Sequence, residues 1–234
     1  MRVTVNSDPR TLIGIGVYTV PEVSRLTGVG DQSIRRWVQG YRFRRDQALR
    51  AMPAVWHADL GLVDGTIALS FLDMMEVRFI QAFRQHHVSW AAIREAARLA
   101  CEMFNENHPF TLGRFRTDGK RIFQQIEEQG AVRLFDMNRQ SWVFHEIVSP
   151  SLYQGIEFSV DQVVRWFPMH PRRTVVVDPE RSFGRPIVSR ESVPTDVLAA
   201  AARAEGSIEC AARWFDVSPA SVRAAVAFEK RLVA

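Results

Sequence analysis

The sequence predicts a protein that is mainly α with small β elements, an α+β chain, and three observations carry that prediction. Apolar residues recur at helical spacing over 20–38, 70–104 and 194–228. Short alternating runs bounded by turn residues, over 41–44, 54–69 and 110–147, read as strands and hairpins. The pattern of 23–37 is written almost again at 211–225, so that Val29, Ser33, Ile34 and Arg35 align without a gap on Val217, Ser221, Val222 and Arg223. The predicted organisation is an N-terminal winged helix-turn-helix domain with a helical extension over 1–104, a β-rich connecting and partner-binding segment over 105–173, and a C-terminal helical helix-turn-helix domain over 174–234.

Residues 1–17 read as an arm, because Asn6, Ser7, Asp8 and Pro9 oppose regular structure. Pro21 suits the opening turn of a helix, where its missing N–H is not needed. Val20, Val23 and Leu26 follow at helical spacing, and Gly28 can take the positive φ that ends the helix. Asp31 is a candidate cap for a second helix, with Ile34 and Trp37 or Val38 inward. Gln32, Ser33, Arg35 and Arg36 then remain outside, and these side chains can bond base edges or phosphates. Tyr41 to Arg44 alternates like a strand, and Asp64-Gly65 marks a hairpin within 54–69. Strands after a helix-turn-helix are what a wing requires.

Ser70 and Asp73 form the S-x-x-D pattern of a capped helix with Leu72, Met75, Phe79 and Phe83 in one stripe. A further helix starts at Ser89, with Trp90, Ile93, Ala97, Ala100 and Phe104 inward. His86 and His87 lie between these helices with no carboxylate or Cys placed to complete a metal site. Hairpins are expected around 117–120 and 137–140, and Pro150, Pro168 and Pro171 break the chain beyond. Val175 to Val177 read as a strand, Gly184 and Pro186 as a bend into Ile187-Val188, and Pro194 to Ala204 as a helix ended by Gly206. In the second copy Ser218 caps, Pro219 takes the first helical position, and Val222, Ala225, Val226 and Phe228 point inward. Ser218, Ser221 and Arg223 are its candidate DNA contacts, although an outer face made mostly of Ala also suits packing or dimerisation.

Charge sharpens the first copy. Arg35, Arg36, Arg42, Arg44, Arg45 and Arg50 stand against the single acid Asp46, although the whole chain carries only +4. Such a cluster beside a recognition helix would follow a phosphate backbone. Only two of the 30 basic residues are Lys, and Arg offers the planar fork that guanine and phosphate accept. Cys101 and Cys210 are few and distant, which predicts free thiols in a reducing cytosol rather than a disulfide or zinc framework. No apolar run approaches the ~20 residues of a membrane span, and the first residues lack a signal peptide's apolar core. The expected location is therefore cytoplasmic, without membrane contact. No phosphate loop, nucleophile elbow or spaced His and carboxylate pair stands out, so no catalytic residue, cofactor or metal is expected.

The run Asp178-Pro179, Phe183-Gly184-Arg185-Pro186-Ile187-Val188, Val193-Pro194-Thr195, followed by Val217-Ser218-Pro219 and Val222-Arg223-Ala224-Ala225, resembles a small domain of VapB-type antitoxins. Ser189-Arg190-Glu191-Ser192 departs from it, standing where many members have a Gly-Thr turn. The opening from Tyr18 to Trp37 looks like a MerR-type helix-turn-helix. The resemblance implies a type II toxin–antitoxin role: a repressor of its own operon that binds and neutralises a PIN-domain ribonuclease toxin, as a homodimer or within a larger toxin–antitoxin assembly. It assigns no catalytic residue. PIN nucleases hold metal in a carboxylate cluster, which an inhibitor's Arg could pair with. Residues 105–173 are the expected toxin contact, since neither DNA module needs them. The alternative is a stand-alone dimeric transcriptional regulator whose middle segment senses a ligand.

Overall fold

The computed structural model describes residues 14–112, 115–117, 122–128, 131–136, 141–143, 153–160 and 162–233. The chain's own contacts gather into two units. The first holds 18–153 and 160–162; the second holds 14–17, 154–159 and 163–233. Residues 105–173 are thus divided between them.

In the first unit β1 (Tyr18–Thr19) runs directly into α1 (Val20–Thr27). Thr19 Oγ1 accepts from the Glu22 N–H, and the Glu22 carboxylate accepts from the Thr19 N–H at 2.7 Å, a reciprocal capping box. The Thr-x-x-Glu spacing encodes that box, and Pro21 lies in the first turn as expected. Val20, Val23 and Leu26 are buried as their spacing predicted, and Gly28 ends the helix at φ 75°. Helix α2 (Asp31–Gln39) buries Ile34, Trp37 and Val38. Its cap is Gly30, not Asp31: Asp31 is the first helical residue and makes no side-chain cap. Its carboxylate instead stands in the first turn, where unpaired N–H groups favour negative charge.

Gly40 turns the chain into β2 (Tyr41–Arg45), which pairs with β3 (Ala48–Met52) across Asp46 and Gln47. Both tip residues have positive φ, 52° and 60°, the two-residue turn whose twist matches that of its strands. Strand β4 (Leu62–Val63) turns at Asp64-Gly65 into β5 (Thr66–Leu69), as expected, and β5 also pairs with β1 in a three-stranded sheet.

Helix α3 (Phe71–Gln85) opens on the predicted box, Ser70 with Asp73. Its burial is not one stripe. Phe71, Met74, Met75, Val77, Phe79, Ile80 and Phe83 are all buried, whereas Leu72 is only half-buried. A helix apolar nearly all round is a central element. Helix α4 (Trp90–Phe104) is capped by Ser89 and buries Ile93, Ala96, Ala97 and Ala100, with Trp90 half-buried. The Phe104 side chain lies outside what the structure describes. A 3-10 turn at Pro109–Thr111 packs Phe110 edge-on against Phe83, ring centres 5.0 Å apart. Four antiparallel strands follow as a meander: β6 (Phe115–Thr117), β7 (Ile122–Glu128), β8 (Ala131–Asp136) and β9 (Ser141–Val143). The expected hairpins join β6 to β7 and β8 to β9; their turn residues lie outside the described set.

In the second unit β10 (Ile156–Ser159) pairs with β11 (Gln162–Trp166), and β12 (Val175–Val176) pairs with β13 (Ile187–Val188). Between the last two, Asp178 is buried and accepts from Nε of both Arg165 and Arg181 at 2.8 Å. Helices α5 (Thr195–Ala204), α6 (Ile208–Trp214) and α7 (Pro219–Val233) close a core of Val188, Leu198, Ala211, Ala212, Val222 and Ala225. Phe228 is also buried, and Val226 packs against the cluster half-buried. The molecule is α+β with small separate sheets. Among the described residues no helix is long and apolar enough to cross a membrane.

Candidate nucleic-acid interface

Helix α2 sorts its side chains as amphipathic spacing demands. With Ile34, Trp37 and Val38 inward, Gln32, Arg35 and Arg36 are exposed and Ser33 is half-buried. The Arg36 guanidinium lies 5.3 Å from the centre of the Tyr41 ring, a cation–π contact that links the helix to the start of the hairpin. On the β2–β3 ribbon Arg42 stands opposite Ala51, and Arg44 opposite Leu49. Alternation puts those two arginines on one face with the exposed Leu49, and Phe43 and Arg50 on the other. Arg42, Arg44 and Arg50 are exposed; the Arg45 side chain lies outside the described set. The basic run of the sequence is therefore brought together on α2 and the adjoining ribbon, but split over the ribbon's two faces.

The second copy is built differently from its expectation. Ser218 caps α7 by accepting from the Ser221 N–H at 3.1 Å, and Pro219 follows in the first turn, both as predicted. Ser221 does not stay outside. It is half-buried, and its hydroxyl donates to Glu191 Oε2 at 2.7 Å, while the Ser218 N–H donates to Glu191 Oε1 at 3.2 Å. Burial pushes the Glu191 carboxyl up, but these two bonds, a third from its own backbone N–H and the charge of Arg190 together hold it below its usual value. Glu191 belongs to the Ser189–Ser192 stretch that departs from the VapB pattern, and here it clamps the helix start. Arg223 is exposed on α7, and Asp216 makes the preceding turn at φ 51°.

No family model matches this chain. The chain is 26% identical over 226 residues to a Mycobacterium tuberculosis protein named "Putative antitoxin VapB45", an alignment spanning 91% of this chain and 93% of that protein. The crystal structure of Rv2018 from Mycobacterium tuberculosis has the same fold, with a TM-score of 0.62 at 18% identity, over 92% of this chain and 98% of that one. Both likenesses run through nearly the whole chain.

One cluster escaped the sequence reading altogether. Asp73 and His108 are buried, and with Asp59 they place one carboxylate or imidazole atom each within 4.8 Å of one another. These residues are 14 and 35 positions apart, and no spacing motif joins them. Glu76, one turn along α3 from Asp73, is buried too; its Oε1 accepts from the Phe110 N–H at 3.1 Å, and Oε2 has no partner among the described residues. Burial pushes its carboxyl up to about 8. Burial alone would lower the His108 imidazole, but the hydrogen bond with Asp73 and the charges of Glu76, Asp73 and Asp59 raise it above its usual value. The only readable signal was Asp73 itself, already assigned to a cap.

Proposed function

We propose that this chain is an antitoxin that binds and neutralises a PIN-domain ribonuclease toxin and represses its own operon. The observation that carries this reading is the likeness to the protein named VapB45, which runs through 91% of the chain rather than through one shared module. In this reading α2 presents Gln32, Arg35 and Arg36 to base edges and phosphates, and Arg42, Arg44, Arg45 and Arg50 of the ribbon and its flank contact the backbone as a wing. Arg223 is the contact retained by the second copy; Ser218 and Ser221 position α7 through Glu191 instead. A two-fold assembly would match a palindromic operator, and the protein would act in the cytoplasm as a homodimer or in complex with its toxin.

The support for DNA contact is local and chemical: an exposed polar helix face over a buried apolar one, continued by a basic ribbon. That same feature also fits a stand-alone dimeric regulator, and the test must separate the two. The tagged chain, purified from its own cells, should bring down a near-stoichiometric protein whose ribonuclease activity appears when the two are parted and vanishes when the chain is restored. It should also shift its promoter DNA. DNA binding with no protein partner would replace the antitoxin reading with the regulator; a nuclease partner without promoter binding would remove the repressor role.

A further inference from the structure

The cluster of Asp59, Asp73 and His108 in the first unit has a donor set and a support of the kind a metal ion uses. His108 Nε2 lies 3.0 Å from Asp73 Oδ1 and 3.5 Å from Asp59 Oδ2. A tetrahedral ion held at ~2.0–2.1 Å by nitrogen and oxygen sets its ligand atoms roughly 3.3 Å apart, between those two distances.

Each carboxylate is aimed by other groups. Asp73 Oδ1 accepts from the Trp56 indole N–H at 2.7 Å, and Oδ2 accepts from the backbone N–H of Ser70 and of Asp59. The Ser70 hydroxyl donates to Asp59 Oδ2 at 2.7 Å. A carboxylate oxygen can accept about twice; the second position of Asp73 Oδ1 faces His108 Nε2, where an ion would take the place of their hydrogen bond. Outer partners that hold ligands in this way are the usual surroundings of a metal.

Asp59 and Asp73 bring two carboxyl groups to one imidazole, and a divalent ion held among the three would balance both. The Asp59 side chain keeps 30% of its surface exposed, which leaves an entry path and a fourth position for water.

We propose that Asp59, Asp73 and His108 form a divalent metal site of the zinc class, which ties the segment before β4 and the 3-10 turn at Pro109–Thr111 to the start of α3. The site is independent of the antitoxin reading and would hold whether or not the chain binds DNA or a toxin. Its role is structural: the ion would join three stretches of chain whose ligands lie 14 and 35 positions apart in sequence. Affinity should fall on acidification, because the ion and a proton compete for His108 Nε2.

The full-length chain, stripped with chelator, is titrated with Zn²⁺ by calorimetry and then with Co²⁺ followed by absorption. We expect one equivalent per chain, a higher melting temperature with Zn²⁺, and a Co²⁺ spectrum with d–d bands but no thiolate charge-transfer band. Asp59→Asn and His108→Gln should each lose at least ~10-fold in affinity, in the range typical of lost metal interactions. Asp59→Asn is the decisive variant, since Asp59 is partly exposed and its amide can still accept from Ser70, so the fold survives. Cys101→Ser with Cys210→Ser should bind normally. Absence of stoichiometric binding at micromolar metal, a thiolate band, or undiminished binding by Asp59→Asn would each overturn the site.

Discussion

Arg35 is the side chain on which the reading of α2 can be tested most directly. It is exposed, and it stands one residue from the buried Ile34 that fixes which way the helix faces. Arg35→Ala should weaken operator binding by ~1–3 kcal/mol if Arg35 reads a base, with a smaller effect on unrelated DNA; an equal loss on all sequences would mark a phosphate contact. Competition binding on operator and scrambled duplexes separates these. Asp178 carries a second prediction at this scale. Burial raises its carboxyl, but bonds from Arg165 and Arg181 dominate and hold it below the ordinary 3.8. Because the folded pKa is depressed, its contribution is complete above that ordinary value and is lost as pH falls through the folded one. Asp178→Asn should therefore unfold more easily at neutral pH, by ~1–3 kcal/mol because Arg165 and Arg181 stay partly exposed to water, and the deficit against wild type should shrink in acid. Denaturant melts at several pH values measure both.

Elements depend on single backbone positions. Gly40 leaves α2 for β2 at φ 71°, and a Cβ there would meet the Met52 carbonyl oxygen at 2.5 Å and the Ala54 nitrogen at 2.9 Å. Gly40→Ala must displace the hairpin at a cost of order 1–3 kcal/mol, so it should lower both thermal stability and affinity for DNA. Unchanged affinity would detach the ribbon from the interface. At the other helix pair, Glu191→Ala leaves the Ser218 N–H and the Ser221 hydroxyl without their acceptor. The expected loss is ~1–3 kcal/mol of stability, read in thermal unfolding, with operator binding unchanged where the protein remains folded. That outcome would separate a positioning role for these serines from the DNA contact that their sequence equivalence to Ser33 suggested.

For the whole molecule the modest net charge of +4 matters less than its placement. If Arg35, Arg36, Arg42, Arg44 and Arg50 each neutralise a phosphate, the logarithm of the binding constant should fall against the logarithm of salt with a slope of roughly −4 to −5 per protomer. Fluorescence anisotropy across a salt series gives the slope. A value near −1 would leave the basic ribbon without a role in DNA binding.

Much of this molecule could be read from the amino acids alone where local chemistry suffices. Helical periodicity placed Val20, Val23, Ile34, Val222 and Ala225 in cores, Gly28 ended α1, Asp64-Gly65 made a turn, and Ser218-Pro219 began α7. These features depend on residues within a few positions of one another, so spacing and side-chain chemistry are enough to specify them. Other features were decided by residues far apart in the chain. Asp73 gave away its cap in sequence but not its company with Trp56, Asp59 and His108, and Ser221 gave away its helix but not Glu191, 30 positions earlier. Likewise α3 has a readable stripe, yet its neighbours bury it nearly all round. Partners of that kind are chosen by packing, which brings distant side chains together without any fixed interval along the chain.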